Sequence, residues 1–305
     1  MLVVLDVYGD FHLNVQLRCI SCILHRGYLQ IQDATNDKTI QFKTLSAILS
    51  LLAEEFKSTA NPAGLGTKRD RLIREMTGNL DPYRLKKQIS NQKALEVLPL
   101  AQSIVSTEVS NKLRFRKACL CAIVGNIMEF DLPDNPFKFA DLEMLIRQAE
   151  SELAIDEIFK IFNIAKKKKS ILYLTDNAGE IALDTLLVQE LKNLGAYVTV
   201  AVKADPILND ALLEDAKVVG MDKVANRLMS TGSDSVGLFL EECSEEFLEL
   251  YSSVDFVVAK GMGYAETLTE LKLAVPHALL LRSKCSTVAS YFGVKIGKNI
   301  AKLLN

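Results

Sequence analysis

Tryptophan is absent from the 305-residue sequence, and aromatic residues supply only 7% of it. A surface that stacks aromatic side chains on nucleic-acid bases is therefore disfavoured. Neither sign of charge is in excess, because 36 Lys and Arg residues stand against 38 Asp and Glu residues and the net charge is −2. Binding to nucleic acid through phosphate neutralisation usually needs a basic excess. We therefore expect no nucleic-acid partner.

Long hydrophobic runs and dense cysteine are also lacking. The longest apolar run, residues 118–124, is far shorter than the roughly 20 residues of a membrane span. Six Cys residues are too sparse for a disulfide scaffold. The chain begins Met-Leu-Val-Val-Leu-Asp, without the basic segment and cleavage site of a secretory signal. We expect a reduced, cytoplasmic protein with no membrane partner; the pattern assigns no role to the first dozen residues and no oligomeric state.

The first part of the chain is predicted to be helical. Apolar residues recur at helical spacing over 45–56, 72–76, 85–105 and 113–128, and the sequence Asn-Pro-Ala-Gly interrupts this pattern at 61–64. The nearly continuous apolar character of 118–124 predicts a buried central helix. The clearest break is the proline-containing segment 130–136. We therefore predict a helical region over residues 1–135 and a second domain over residues 136–305, which opens with a connector helix over 139–165.

The second part alternates short apolar runs with helical patterns. Strands are predicted at 171–174, 197–202, 256–259 and 278–281, and helices at 179–194, at 210–219 and from Thr287 onwards. Such alternation with continuously apolar strands is typical of a mostly parallel sheet with helices on both faces. The sequence therefore predicts an α/β, Rossmann-like domain preceded by an all-helical amino-terminal region.

Polar residues follow each predicted strand. Asp176 and Asn177 follow the first strand, Asp210 opens the helix after the second, and Lys260 and Lys284 follow the third and fourth. Ligands of open parallel sheets bind beyond the carboxyl ends of the strands, so we expect these side chains to meet there. Asp and Asn oxygens suit Mg²⁺ or Mn²⁺, and neighbouring lysines suit a phosphate. The combination predicts phosphoryl hydrolysis by metal-activated water.

Each of these residues also has a purely structural interpretation. Asp176, Asn177 and Asp210 are all good N-cap residues for the helices that follow them. Gly261-x-Gly263 alone is not a dinucleotide-binding loop, because it lacks the third glycine and follows a late strand. A phospho-aspartate at Asp176 is disfavoured because Ala178 stands where such enzymes usually carry a second acid. The joint occurrence of the acids, the amide and the lysines at neighbouring strand ends nevertheless favours a shared site.

A set of ordered motifs gives the chain a family resemblance. They are Asp-Asn-Ala-Gly-Glu at 176–180 with Asp184 one turn later, Pro-Ile-Leu-Asn-Asp at 206–210, Ser-Thr-Gly-Ser at 230–233, Lys-Gly-Met-Gly-Tyr-Ala-Glu at 260–266, Arg-Ser-Lys-Cys at 282–285, and, in the first half, Asp-Pro-Tyr at 81–83, Lys87, Asn91 and Gly-Asn at 125–126. From about residue 17 to the end, the sequence resembles the damage-control phosphatases once called domain of unknown function 89. Cys19-x-x-Cys22 resembles their mainly archaeal and bacterial branch.

The resemblance implies a metal-dependent phosphatase that acts on phosphate monoesters of small metabolites, such as sugar phosphates or damaged phosphorylated cofactors. It implies that Asp176, Asn177 and Asp210 are catalytic and hold a divalent metal, Mg²⁺, Mn²⁺, Co²⁺ or Ni²⁺. The implied substrate-binding residues are Lys260, Gly261, Met262, Gly263, Tyr264, Glu266, Lys284 and Asn126. The sequence departs from the family in two places: Tyr264 and Ala265 replace an Asn and an aromatic residue, and Glu129 stands where an Asp is usual. Both departures bear on substrate choice.

Cys19 and Cys22 are not among the catalytic and substrate-binding residues that the resemblance implies. Three residues apart on a helix, the two thiols share a face. A single Cys-x-x-Cys is half of a zinc site, which Cys119, Cys121 or Cys285 could complete, and a second metal or a redox role are the functional hypotheses. We favour buried structural thiols, because free cysteine packs as a small hydrophobe.

Two other functions stay open at this point. A carboxyl methyltransferase that uses S-adenosylmethionine has a similar sheet, but the sequence lacks a glycine-rich loop after the first strand, and lysines at the strand ends suit phosphate better. A non-catalytic metabolite-binding module predicts ligand binding without metal-dependent turnover.

Overall fold

The computed structural model describes residues 13–133 and 138–305, in which the chain forms thirteen α-helices and seven β-strands. The helices are α1 (Cys19–Ala34), α2 (Lys38–Glu55), α3 (Pro62–Thr77), α4 (Arg84–Ser106), α5 (Asn111–Gly125), α6 (Leu142–Gln148), α7 (Ile158–Ala165), α8 (Glu180–Asn193), α9 (Leu213–Val218), α10 (Met221–Val224), α11 (Glu245–Ser253), α12 (Met262–Leu268) and α13 (Ser286–Tyr291). The strands are β1 (Leu153–Asp156), β2 (Ser170–Leu174), β3 (Tyr197–Val202), β4 (Arg227–Ser230), β5 (Phe256–Lys260), β6 (His277–Arg282) and β7 (Asn299–Leu304). The first dozen residues and the predicted domain boundary between 135 and 136 lie outside the described residues.

The strands form one sheet in the order β1-β7-β6-β5-β2-β3-β4. All neighbouring pairs are parallel except β6 and β7. The four predicted strands correspond to β2, β3, β5 and β6, which lie side by side in the middle of the sheet. The mostly parallel α/β fold with a helical amino-terminal region is therefore confirmed.

Successive residues of the strands pack on opposite faces of the sheet. In β2, Ile171 and Tyr173 join the hydrophobic cluster formed with α5 and α8, whereas Leu172 and Leu174 join the cluster formed with α12 and α13. This alternation is the pleat of a strand whose two faces are both covered. It explains why the central strands are continuously apolar.

Helix α5 is the link between the helical region and the sheet. Ala118 to Val124 are all at most 2% exposed, and they pack in the same cluster as Ile181, Leu187 and Leu191 of α8. The predicted buried central helix is confirmed. Its carboxyl end carries Gly125 and Asn126 to the carboxyl ends of the central strands.

Three predictions of local structure are wrong. The connector helix over 139–165 is instead a 3₁₀ turn at Phe139–Asp141, helix α6, strand β1 and helix α7, because Leu153–Asp156 pairs with β7 at the sheet edge. Asn61-Pro62 begins a helix rather than interrupting one, since the Asn61 side chain caps α3 by accepting from the Gly64 N–H at 3.1 Å. Asp210 does not cap a helix: α9 begins only at Leu213.

The three strands missed by the sequence prediction are β1, β4 and β7. They are short or carry partly exposed ends, so their pattern differs from that of a central buried strand. None of the helices in 13–133 and 138–305 combines the length and the apolar character needed to cross a bilayer.

Candidate functional site

The loops that follow β2 and β3 are joined by backbone contacts. Asn177 and Asp210 form an isolated antiparallel bridge, and the Ala211 N–H donates to the Asp176 carbonyl oxygen at 2.8 Å. The structure thus brings Asp210 next to Asp176 and Asn177, although it lies more than 30 residues after them in sequence. The place is next to the β5–β2 boundary, where the strand order of the sheet reverses and ligands of such sheets bind.

The Asp176 carboxylate is fixed by two amides. Asn126 Nδ2 and Asn177 Nδ2 donate to its Oδ2 at 2.7 and 3.0 Å, and among the described residues no donor reaches Oδ1. The Asn126 Oδ1 in turn accepts from the Arg282 N–H at 3.1 Å, which orients the amide. One carboxylate oxygen is therefore oriented by the protein, and the other is left for a ligand.

Gly261, at the end of β5, makes room for this carboxylate. A Cβ atom at Gly261 would lie 1.8 Å from Asp176 Oδ2, and the residue has φ +87°, a conformation that L side chains rarely adopt. Glycine at this position is therefore required by Asp176, rather than by a dinucleotide.

Three acidic side chains crowd this place: Asp176, Glu180 and Asp210. Burial raises the pKa of Asp176 well above its usual range, and the charges of Glu180 and Asp210 raise it further. Burial likewise raises the pKa of Asp210 to about 7, although Lys203, with its Nζ 3.9 Å from Asp210 Oδ2, lowers it. In the absence of a bound cation, the site therefore disfavours the ionised forms of Asp176 and Asp210.

The residues present fit a divalent cation. The donor set is two carboxylates and one carboxamide, which are hard oxygen ligands, and a bound cation would favour the ionised forms of Asp176 and Asp210. Asn177 Oδ1 already accepts from Asn209 Nδ2 at 2.8 Å, which orients it and leaves its second lone pair. Within the described parts of the chain, no group of three or more His, Cys, Asp and Glu side chains is arranged to hold a metal; the candidate set differs from that class because its third member is Asn177.

Lys260 is placed differently from the sequence expectation. Its side chain is 0% exposed, and its Nζ donates to Glu180 at 2.5 Å, to Asp184 at 2.7 Å and to the Ala122 carbonyl oxygen at 2.9 Å. An ammonium group has three N–H donors, and all three are used. In this arrangement Lys260 holds Glu180 in place and is not free to bind a phosphate.

Lys284 remains a candidate for phosphate binding. Its Nζ contacts Glu129 Oε2 at 2.5 Å and donates to the Asn126 carbonyl oxygen, so one N–H donor is left. Burial would raise the pKa of Glu129, but Lys284 and Arg26 outweigh it and lower that pKa. The residue that departs from the family pattern, Glu129, therefore anchors the lysine.

The amino-terminal end of α8 is not available to an anion. The Ala178 N–H donates to the Asn209 carbonyl oxygen at 2.8 Å, and the Gly179 N–H donates to Asn91 Oδ1 at 2.7 Å. The protein itself therefore satisfies these two N–H groups after Asp176.

A cavity of about 400 Å³ lies beside this cluster. Of the expected substrate-binding residues, Met262, Glu266 and Lys284 line it, and the others do not: these are Asn126, Lys260, Gly261, Gly263 and Tyr264. The metal-ligand candidates also lie outside its lining, so Lys284, which contacts both Asn126 and the cavity, connects the two places.

Tyr264 is part of the packing beneath the site. It is 1% exposed, and its ring lies 4.8 Å from Lys203 Nζ. This contact holds Lys203 near Asp210. Tyr264 therefore acts on the site through Lys203 in this structure, and not by touching the cavity.

Five of the six cysteines fall into two groups. Cys119 and Cys121 are buried in the core around α5, whereas Cys19, Cys22 and Cys285 line the cavity. All six described cysteines are free. Since Cys119 and Cys121 belong to the core of α5, they do not complete a zinc site with the Cys19–Cys22 pair.

Sequence reasoning gave no role to Arg26 and Arg69. Both line the cavity, but they come from α1 and α3 and share no motif or spacing. Glu180 was visible within the Asp-Asn-Ala-Gly-Glu motif. The contacts of Glu180 with Lys260 and Asn126 depend on packing between distant segments, which no local signal shows.

The sequence matches a known protein family. Residues 15–300 match the family model described as the damage-control phosphatase ARMT1-like domain. A protein from Archaeoglobus fulgidus named damage-control phosphatase is 34% identical over 287 residues, which is 94% of this chain and 98% of that protein. A damage-control phosphatase from Pyrococcus horikoshii is 32% identical over 93% of this chain and 96% of its own length.

A solved structure has the same fold. The crystal structure of a family protein of domain of unknown function 89 from Pyrococcus horikoshii superposes with a TM-score of 0.83 at 32% identity, covering 95% of this chain and 99% of that one. The match to the family model spans nearly the whole chain, in agreement with the ordered motifs. The chain belongs to the damage-control phosphatase ARMT1-like family, also known as domain of unknown function 89.

Proposed function

We propose that this protein is a metal-dependent phosphatase that hydrolyses phosphate monoesters of small metabolites. Asp176, Asn177 and Asp210 hold the divalent cation, for which Mg²⁺, Mn²⁺, Co²⁺ and Ni²⁺ are the candidates. The observation that carries the proposal is the backbone bridge between Asn177 and Asp210, which brings the loops bearing two carboxylates and a carboxamide together at the switch point of the sheet. The phosphatase names of the relatives support the reaction type.

The chain's own residues prepare this site in defined ways. When bound, a divalent cation supplies Lewis-acid activation of the phosphoryl group and of water. Asn126 orients the Asp176 carboxylate through its Nδ2. Lys284, fixed by Glu129, directs its remaining N–H donor to a phosphate oxygen, where a charge-assisted hydrogen bond is strong. Lys260 keeps Glu180 paired, so that this acid does not compete for the cation.

The experiment is a phosphatase screen over sugar phosphates and phosphorylated cofactor fragments. Protein stripped with a chelator is assayed with Mg²⁺, Mn²⁺, Co²⁺ or Ni²⁺ and with no metal, and released phosphate is measured. We expect turnover only with metal. We further expect Asp176→Ala to lower turnover by at least about 10²-fold, because an electrostatic contact at the reacting group is lost.

Asp205→Ala is the matched control. Asp205 also follows β3 but is exposed and lies outside the cluster, so its loss should leave turnover unchanged. Full activity in chelator, or an Asp176→Ala variant as active as Asp205→Ala, would contradict the proposal.

A further inference from the structure

Two arginines on the helical side of the cavity have no part in the proposed metal site. Arg26 of α1 and Arg69 of α3 both line the cavity. Arg69 is only 2% exposed, and the Arg26 side chain is 11% exposed. The stem of Arg69 packs on Gly27, where an added Cβ would lie 3.2 Å from Arg69 Cδ. Both guanidinium groups are therefore held in the cavity wall rather than free on the surface.

Each guanidinium group carries donors that the protein leaves unpaired. The Nη1 of Arg26 contacts Glu129 Oε1 at 2.9 Å, and the Nη1 of Arg69 donates to the Ile23 carbonyl oxygen at 3.3 Å. Within the described chain, Nε and Nη2 of both arginines are buried and have no hydrogen-bond partner. A buried charged donor without an acceptor is costly. Four such nitrogens at one cavity wall indicate an anionic ligand that supplies the acceptors.

The cavity wall around the two arginines also carries more positive than negative charge. Arg26 and Arg69 line the same cavity, and the charge of Arg26 adds to burial in lowering the pKa of Arg69. Glu129, the counter-ion of Arg26, is shared with Lys284. Asp70, next to Arg69 in sequence, is paired with Arg74 at 2.8 Å. The carboxylates that face the arginines are therefore already engaged.

The other titratable groups facing the arginines do not supply a negative charge. Burial raises the pKa of Tyr83 well above its usual range and that of Cys285 to about 12. Burial also raises the pKa of Cys22, and it raises that of Glu266 to about 8. All four groups are thus mainly neutral near pH 7, and the cavity keeps its cationic excess.

Glu129 separates these arginines from the phosphate-binding lysine. Its Oε1 contacts Arg26 and its Oε2 contacts Lys284. We propose that Arg26 and Arg69 bind a second anionic group of the substrate, a carboxylate or a phosphate remote from the phosphate that is hydrolysed. Guanidinium groups recognise both through paired N–H donors. The inference rests on the proposed function and narrows it to metabolites with two anionic ends, which a cavity of about 400 Å³ accommodates.

Matched substrates test this inference. Phosphoglycerate is compared with glycerol phosphate, and fructose bisphosphate with fructose monophosphate, so that each pair differs only in a second anionic group. We expect kcat/KM to favour the doubly anionic member of at least one pair by about tenfold or more, as for a charge-assisted hydrogen bond. Preference in the first pair indicates a carboxylate, and preference in the second indicates a phosphate.

Arg69→Met is the test variant, because methionine keeps an unbranched stem against Gly27. The preference ratio should fall to about one in Arg69→Met. Lys68→Met is the control: it removes a positive charge from the same helix, but Lys68 has a side chain 51% exposed and pairs with Glu55, away from the cavity. A wild-type protein without preference in either pair, or an Arg69→Met variant that keeps the preference, would overturn the inference.

A binding experiment separates this inference from the proposed phosphatase activity. Calorimetry measures binding of inorganic phosphate to chelator-treated protein, in which no metal contributes. Binding that weakens about tenfold or more in Arg69→Met but not in Lys68→Met supports the arginine subsite even if no substrate is hydrolysed. Phosphate binding that is equal in the two variants, or that is undetectable in a protein without a preference for phosphoglycerate over glycerol phosphate, would count against the subsite.

Discussion

Lys260 illustrates how a single side chain can serve a site without touching its ligand. Its ammonium group is enclosed by Glu180, Asp184 and a backbone carbonyl oxygen. Burial lowers the pKa of Lys260, but the two carboxylates outweigh this effect and raise it. The buried charge is therefore well paired, and removing it would leave two acids uncompensated.

Substitution of Lys260 tests this account of the buried network. Lys260→Met should lower the free energy of unfolding by about 3–5 kcal/mol, the cost of breaking a buried ion pair on one side. Urea denaturation measures it. Addition of Asp184→Asn should restore part of the loss, because one unpaired acid is removed. The exposed pair of Lys160 and Glu157 gives the control, and Lys160→Met should change the midpoint little. A Lys260→Met variant as stable as the wild type would show that the pairing is not needed.

At this scale the sequence predicted residue types better than their contacts. Asp176, Asn177 and Asp210 were predicted as metal ligands because each comes after a recognisable strand, and the structure places their backbones next to one another. The role of Lys260 was misjudged, since a lysine after a strand has the same local pattern whether it points to solvent or into a carboxylate pair. Arg26 and Arg69 were missed because their proximity is created only when α1 packs against α3.

At the scale of elements, β5 and the turn into α12 place a glycine where Asp176 needs space. The neighbouring strand β6 begins at His277, which is 1% exposed. The Nδ1 of His277 lies 2.7 Å from the Val275 carbonyl oxygen, and its Nε2 lies 2.8 Å from the Tyr251 hydroxyl. Donation from Nδ1 to the carbonyl leaves Nε2 to accept from the hydroxyl, so the strand begins with a neutral imidazole.

This imidazole predicts a pH dependence of stability. Burial lowers the pKa of His277 below its ordinary value of about 6.5, despite the hydrogen bond to Val275. Below about pH 6.5 the imidazole binds a proton in the unfolded chain, whereas in the folded chain it binds one only at lower pH. The free energy of unfolding therefore falls as pH falls. In His277→Asn this component is absent, and the fall should be less steep. Urea denaturation between about pH 7.5 and pH 5.5 measures both slopes, and equal slopes would contradict the assignment.

The elements themselves were largely predictable from the chain. The four central strands and the buried helix α5 have continuous apolar runs, and these are the strongest local signals. The connector over 139–165 was misassigned, because β1 is only four residues long and is stabilised by pairing with β7 at the far end of the sequence. Such a strand depends on a partner that periodicity does not reveal.

On the scale of the whole molecule, the sheet and the helical region contribute different parts of one site. The loops after β2 and β3 carry the residues that we propose as cation ligands, α5 leads into Asn126, whose amide donates to Asp176, and α1 and α3 carry the arginines that line the cavity. The fold class followed from strand–helix alternation. The separate locations of the proposed metal site and the cavity could not be predicted from the sequence, because they depend on how the helices pack on the sheet.

Manganese binding is the measurement that tests the central claim most directly. Chelator-stripped wild-type protein is titrated with Mn²⁺, and bound ion is counted by electron paramagnetic resonance, with circular dichroism as the test of folding. The account predicts a single Mn²⁺ ion per chain, with affinity weakened more than about tenfold in Asp176→Ala and in Asp210→Ala but unchanged in Asp205→Ala. A folded Asp176→Ala Asp210→Ala variant that binds Mn²⁺ as the wild type does would contradict it.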